Sequence, residues 1–372
     1  MIPSSITKEL EGMLGKFLWS GSDMKSHNAK VAWKEVALPY DEGGIGVKKI
    51  KEWNRAFLAK GVWNLCDNGH SSIWKDWVKA NLIRTHSFWQ MKVPQSCSWT
   101  WRKMLQLRNS LKPHIRIKLG NGSSTSFWFD PWMNEGPICQ STNDRVIRES
   151  GLGRNLKVGD LAASGSFAWP FPNCIGLLDL QNKPRPQLVG GPDGLLWLPH
   201  GRDFSVRVAW DSFREKGREV SWAKIVWKHP IIPRCSFITW LAFKGKLLTL
   251  DKLKHRGVNL ANRCPLCLEQ EEDLMHILST CRFSKDVWEK FRGKFARLPH
   301  ESNWEDWLRW VSDNFKGKKD KDKVGRLTIC SIVYQLWKER NARIHGLSTR
   351  SSLFMHGDIC DMLDLMQVPG SL

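Results

Sequence analysis

The sequence predicts a mainly α protein with small β-hairpins (α+β), in which a helical domain built around a Cys/His cluster follows a tryptophan-rich N-terminal region. Three observations lead there. Apolar residues recur at helical spacing, as in Val287, Trp288, Phe291 and Phe295, or Ile329, Val333, Leu336 and Trp337. Strand-like runs flanking tight turns are few: 115–119 before Gly120-Asn121-Gly122 and 125–129 read as one hairpin, and 195–198 before Pro199-His200-Gly201 and 203–206 as another. The third is Cys264-Pro265-Leu266-Cys267 with His276 and Cys281, soft donors set among short helical segments.

In chain order, Ser5 is placed to cap a first helix with the apolar stripe Ile6, Leu10, Met13, Phe17 and Leu18, ending near Ser20-Gly21. Glycines at Gly43, Gly44 and Gly46 form a turn-rich stretch without the flanks of a phosphate loop. Two core helices are expected next, one burying Trp53, Leu58, Val62 and Trp63, the other Ile73, Trp74, Trp77, Val78 and Ile83. After Ser98-Trp99-Thr100-Trp101 come Arg102, Lys103, Arg108, Lys112, Arg116 and Lys118. Cations interleaved with aromatics suit a groove that tracks a nucleic-acid backbone; an amphipathic helix with a solvated basic face accounts for them equally well.

Residues 135–194 are rich in Gly, Pro, Asn and Ser, with Pro170, Pro172, Pro184, Pro186 and Gly190-Gly191-Pro192 interrupting any long element. They read as a linker between a tryptophan-rich helical region, 1–134, and a metal-binding domain, 195–300; a C-terminal helical region, 301–372, follows. Pro233 suits the first turn of a helix presenting Phe237, Trp240 and Leu241, and Thr249 is placed to cap a short helix ending at Arg256-Gly257. The lysine-rich stretch from Lys316 to Lys321 reads as a solvated loop before the last long helix.

Eight residues separate Cys267 from His276 and four separate His276 from Cys281. Zn²⁺ takes four tetrahedral ligands from thiolate and imidazole, and a Cys-x-x-Cys turn aims two sulfurs at one ion. Cys264, Cys267, His276 and Cys281 are therefore the expected zinc ligands. The acidic run from Glu269 to Asp273 favours a helix start that would carry His276. The competing reading is a pair of unrelated thiols beside a surface imidazole; a redox Cys-x-x-Cys is disfavoured because no βαβ pattern surrounds it. His255 reads as a solvated surface imidazole, and Cys66, Cys97, Cys139, Cys174, Cys235, Cys330 and Cys360 as ordinary half-buried thiols.

With 57 Lys and Arg against 37 Asp and Glu, the chain carries a net charge of +20, which points to a polyanionic partner, nucleic acid above all. The 22 tryptophans are expected mostly in cores, a minority stacking on bases. No apolar run is long enough to span a bilayer, and neither a secretory leader nor a disulfide framework is legible, so an intracellular setting, nuclear or cytoplasmic and not secreted, is expected.

The series Trp227, Pro233, Phe237, Trp240, Leu247-Leu248-Thr249, Asp251, Arg256-Gly257, Cys264-Pro265-Leu266-Cys267, Glu272, His276, Cys281 and Val287-Trp288 resembles the reverse-transcriptase zinc-binding domain of plant non-LTR (LINE-type) retroelements. Flanking motifs agree, among them Phe17-Leu18-Trp19-Ser20-Gly21, Asp130-Pro131-Trp132 and Trp337 with Glu339-Arg340-Asn341. The resemblance implies a zinc-stabilised, nucleic-acid-associated fragment of a polyprotein whose polymerase and ribonuclease H lie elsewhere. Tyr40 is followed by Asp41-Glu42 and Tyr334 by Gln335-Leu336, so neither supplies the paired aspartates of a polymerase's Tyr-x-Asp-Asp turn, and no four-carboxylate ribonuclease H set is found. A non-catalytic role is expected, with a protein-interaction scaffold and a residual polymerase role as the alternatives.

Overall fold

The computed structural model describes residues 2–24, 29–69, 71–163, 166–169, 177–198, 204–258, 261–294 and 303–366. In chain order the α-helices are α1 (Ser4–Ser20), α2 (Trp33–Val36), α3 (Ile50–Cys66), α4 (Ile73–Val78), α5 (Trp99–Leu111), α6 (Asp144–Glu149), α7 (Leu178–Gln181), α8 (Val206–Phe213), α9 (Ala223–Trp227) and α10 (Pro233–Phe243). They continue with α11 (Leu250–His255), α12 (Arg282–Lys290), α13 (Trp304–Phe315), α14 (Asp320–Ile344) and α15 (Ser352–Asp364). The strands are β1 (Ile115–Lys118), β2 (Ala162–Ala163), β3 (Ser166–Phe167) and β4 (Gly194–Trp197). The mainly α class with small antiparallel pairs is thus the fold observed. Several helices begin on a side-chain cap, where Ser72, Ser98, Asn143, Ser205, Asn303 or Ser351 accepts an otherwise orphaned amide of the first turn.

The chain forms two compact units, Met1–Gly12 with Lys49–Glu215, and Met13–Lys48 with Lys216–Leu372. In the first, α3 buries Ala56, Leu58, Ala59, Val62, Trp63 and Leu65 against α5 and α8. The strand β1 pairs antiparallel with β4, Ile115 opposite Trp197 and Lys118 opposite Gly194. The loop between β1 and Phe127 is organised by one carboxylate: Asp193 accepts the amides of Gly120 (2.8 Å) and Gly122 (2.9 Å) and the hydroxyls of Ser124 (2.7 Å) and Thr125 (2.8 Å). Although burial alone would raise its pKa, those hydrogen bonds hold Asp193 below the usual carboxylate value.

The first expected hairpin does not form. Asp193 draws 120–125 into a loop, so β1 takes its partner from 194–197, far along the chain. The second also fails: residues 195–197 are in β4, while Ser205 caps α8. Its turn Pro199-His200-Gly201 and Asp203 lie outside the described residues, as do Pro170, Pro172, Cys174 and Phe295.

The expected domain boundaries shift as well. Residues 135–194 are not a linker, because Ile138, Ile147, Val158, Phe167, Trp169, Leu177 and Leu180 are buried in the first unit's core. Glycine and proline exclude long elements there without excluding burial. Residues 204–215 join that unit, whereas 303–366 share a core with the cysteine-bearing segment.

Two expected apolar faces are covered only in part: Val78 and Ile83 are buried, and Leu10 and Leu18 half-buried, but their neighbours lie open. Ile73 is 91% exposed, Trp74 46% and Trp77 55%; on α1, Ile6, Met13 and Phe17 are exposed too. Helical spacing locates a face and does not say what covers it.

In the second unit the centre is α14, buried around most of its girth by α9, α10, α13 and α15, as a helix apolar on several faces requires. A Cβ at Gly325 would fall inside the Phe315 ring, so glycine is required for this close crossing. Arg326 is 1% exposed and donates to the carbonyls of Phe315 (2.8 Å) and Gly317 (3.0 Å), closing the C-terminus of α13. Among the described residues no helix is long and apolar enough to cross a membrane.

Candidate metal centre

The centre is built from two turns and two helix ends. Residues 264–268 fold into a tight turn: the Leu268 amide donates to the Cys264 carbonyl (2.8 Å), and Leu268 sits at φ 60°. The amides of Leu266 and Cys267 point at the Cys264 sulfur, as a turn enclosing a thiolate requires. Asp273 then starts the next helical segment, its carboxylate accepting the His276 amide (2.7 Å). His276–Thr280 is a widened π-turn that delivers His276 at one end and leads directly to Cys281, the N-cap of α12.

All four ligand atoms lie within 4.8 Å of one another. The sulfurs of Cys264 and Cys281 are 4.0 Å apart, and the Cys267 sulfur is 3.3 Å from Nε2 of His276. Tetrahedral zinc with Zn–S near 2.3 Å puts its sulfurs about 3.8 Å apart, close to the Cys264–Cys281 spacing. Nδ1 of His276 faces the Thr280 hydroxyl (3.4 Å), leaving Nε2 as the ligand atom. Cys264, Cys281 and His276 are buried and Cys267 is half-buried.

Without a cation the four donors compete for protons. Cys281 is held far below the usual thiol value, first by the hydrogen bond from Cys264 and further by His276 and by the Ser284 and Phe283 amides at the start of α12. Cys264 is pushed up by the same sharing and by burial. The His276 imidazole is raised to about 9, first by its hydrogen bond to Cys281. A dication removes the competition by letting the thiols ionise beside a neutral imidazole.

Buried ion pairs fasten the centre to α14. Glu272 is fully buried and accepts from Arg340 at 2.5 and 3.0 Å, while its carboxylate also takes the Leu250 amide (2.6 Å). Thr249 stands at the N-cap of α11 as expected, but its hydroxyl makes no cap bond; Glu272 supplies it. Arg343 donates to the Leu266 carbonyl (2.8 Å) and to Glu339 (2.8 Å), which in turn accepts from Arg350 (2.9 Å). Sequence reasoning missed the Glu272 and Arg343 roles; the available signal was Glu339 and Arg343 at i,i+4 on one helix face.

His255 stays apart, its ring on the Asp251 carbonyl (2.7 Å). The six cations expected at a nucleic-acid surface are placed in the first unit and differ in freedom. Arg108 donates to the carbonyls of Leu105 (2.8 Å) and Phe88 (2.9 Å), and Arg116 holds Asn134 through both terminal nitrogens. Arg102 reaches the Gln95 carbonyl (2.6 Å), and Lys103 lies over the Trp99 ring. Lys112 is half-buried and Lys118 exposed. The lysines of 316–323 belong to the other unit.

Residues 204–288 match the family described as zinc-binding in reverse transcriptase. A protein of Arabidopsis thaliana named "Putative ribonuclease H protein" is 24% identical, over 94% of this chain and 58% of its own length. An "Uncharacterized mitochondrial protein" of the same plant is 26% identical, over 36% of this chain and 87% of its own. The chain thus spans 58% of the length of the first relative. No solved structure matches it. The segment is a reverse-transcriptase zinc-binding domain, and Zn²⁺ is the metal of its Cys₃His cluster.

Proposed function

We propose that this chain is a non-catalytic, zinc-stabilised, nucleic-acid-associating part of a LINE-type retroelement reverse transcriptase polyprotein. The observation that carries the reading is the make-up of the metal site: Cys264, Cys267, His276 and Cys281 stand close enough to fill all four positions of a tetrahedral ion, which would leave none for water or a phosphoryl oxygen. The ion supplies a cross-link between the Cys-x-x-Cys turn and the start of α12, of a kind that contributes about 10–16 kcal/mol in small zinc domains.

The carboxylates near the two tyrosines support the absence of chemistry. Glu42 is buried and accepts the Gly217 amide (2.6 Å), so it is spent within the fold and leaves Asp41 without an open carboxylate partner beside it, and Tyr334 is followed by no carboxylate pair. The +20 charge supports association with RNA or DNA, in the nucleus or cytoplasm of the cell. The acidic run beside the metal, with Glu269 exposed, favours a second reading in which this edge meets a protein and not phosphate.

The test is binding of labelled RNA and DNA by the zinc-loaded chain across a salt series. Log affinity is expected to fall steeply and linearly with log salt; binding that ignores salt, or none, refutes the nucleic-acid reading. Nucleotide incorporation or ribonuclease H cleavage that a single carboxylate substitution abolishes would refute the non-catalytic one.

A further inference from the structure

In the second unit, the end of α1, the turn after α10, and α11 enclose a groove of about 900 Å³ whose lining includes Trp19, Lys30, Lys246, Leu248, Lys252 and Arg256 and no carboxylate. Gly245, at φ 63°, turns the chain through a left-handed position and sets Lys246 beside α11. Lys252 fastens that turn by donating to the carbonyls of Gly245 (2.7 Å) and Leu247 (3.1 Å). Its ammonium is held below the usual lysine value, first by burial; Asp251 opposes this, Lys246 and Arg256 push the same way as burial, and Asp273 opposes it. The groove's cations therefore feel one another.

Lys30, Lys246 and Arg256 are exposed and form no ion pair among the described residues. Lys244, just before the turn, is by contrast paired with Glu35 at 2.8 Å. Trp19 is stacked on Trp240 (6.5 Å between centroids) and tilted against Phe237 (6.1 Å), so its half-buried ring is fixed in orientation at the groove wall. Exposed cations lining one groove with a fixed aromatic are what a flexible phosphodiester with unstacked bases requires: the cations take the phosphates and the ring a base. A duplex keeps its bases stacked on one another and has no use for the ring.

We propose that this groove is the seat of a single-stranded polynucleotide, tracked by Lys30, Lys246 and Arg256, with Lys252 holding the turn that presents them. The inference rests on the nucleic-acid reading above and deepens it by giving the contact a place. It differs from the α5 region, where Arg108 and Arg116 already spend their donors within the protein.

The experiment uses the full zinc-loaded chain with fluorescein-labelled oligo(U), oligo(dT) and a DNA duplex of equal length, with binding read by anisotropy across a salt series. Lys30→Gln/Lys246→Gln/Arg256→Gln is compared with Lys8→Gln/Lys60→Gln/Lys92→Gln, which removes the same charge from exposed positions of the first unit outside the stretch 102–118. The groove variant is expected to bind at least about tenfold more weakly at low salt and to lose about 2 from the log–log salt slope, at about 0.7 per phosphate contact, while the comparator keeps the slope. Zinc content and melting temperature establish that each variant is folded. Should the triple variant lose its zinc, Arg256→Gln alone is read instead, for a slope change of about 0.7. Wild-type binding that the groove variant leaves intact, an equal loss in the comparator, or a preference for duplex over both single strands overturns the groove and leaves the nucleic-acid reading standing. No binding by the wild type removes both.

Discussion

Replacing Glu272 with Gln is expected to destabilise the second unit by about 5 kcal/mol. Glu272 and Arg340 are 0% and 4% exposed, and their bonds at 2.5 and 3.0 Å join the segment before His276 to the central helix α14. Without the carboxylate, Arg340 retains the Asn341 side chain (2.9 Å) and the Trp337 ring, 4.8 Å from its guanidinium carbon. Stranding one member of a buried pair costs about 3–5 kcal/mol. Weakening the acceptor of the Leu250 amide adds about 1 kcal/mol at the start of α11. Against the 5–15 kcal/mol typical of a folded domain, the loss is large. The assay is guanidinium unfolding of the zinc-loaded protein, with zinc release to a colorimetric chelator reporting the second unit separately from the first. The double variant Glu272→Gln/Arg340→Met should recover at least half of the loss, because the uncompensated charge goes with the second change. A single-variant loss below about 1 kcal/mol, or strict additivity of the two, would show that the pair does not hold the metal segment to α14.

Arg343→Met removes the donor that grips the Leu266 carbonyl, and zinc affinity measured by chelator competition should fall about 10–100-fold with the ligands untouched. Gly325→Ala should lower stability by about 1–3 kcal/mol in chemical unfolding, although alanine is the better helix former, because its Cβ meets the Phe315 ring. Asp130 is buried and raised to about 6, chiefly by desolvation. A carboxyl raised on folding favours the fold most in acid, so wild-type stability relative to Asp130→Asn should decline from about pH 4 to about pH 6 and be level above, read from denaturation midpoints.

The metal ligands were legible because their spacing is local: a Cys-x-x-Cys turn, a histidine one turn into a helix, and a cysteine at the next helix start reveal their geometry within eighteen residues. Helix ends were legible for the same reason, with Gly21 at φ 63° and Gly257 at φ 81° taking left-handed positions where helices were expected to stop. What failed was non-local. The partner of β1 lies at 194–197 because Asp193 reorganises the intervening loop, and nothing near 120 in the sequence announces that carboxylate. Trp74 and Trp77 carry the same periodicity as a buried face and lie open. The proline-rich stretch 135–194 disguised core residues such as Trp169 and Leu177, since periodicity is silent where elements are short. Glu272, read only as part of an acidic run at a helix start, is wholly buried because Arg340 meets it from 68 residues away.

The most direct test is zinc stoichiometry joined to hydrogen exchange on the full chain and on Cys264→Ser and Cys281→Ser. One zinc per wild-type chain and none in either variant is expected, with amide protection lost across 216–366 and retained across 49–215. A wild type without zinc, a variant that keeps it, or protection lost equally in both units would contradict the claim that a closed Cys₃His site holds the second unit together.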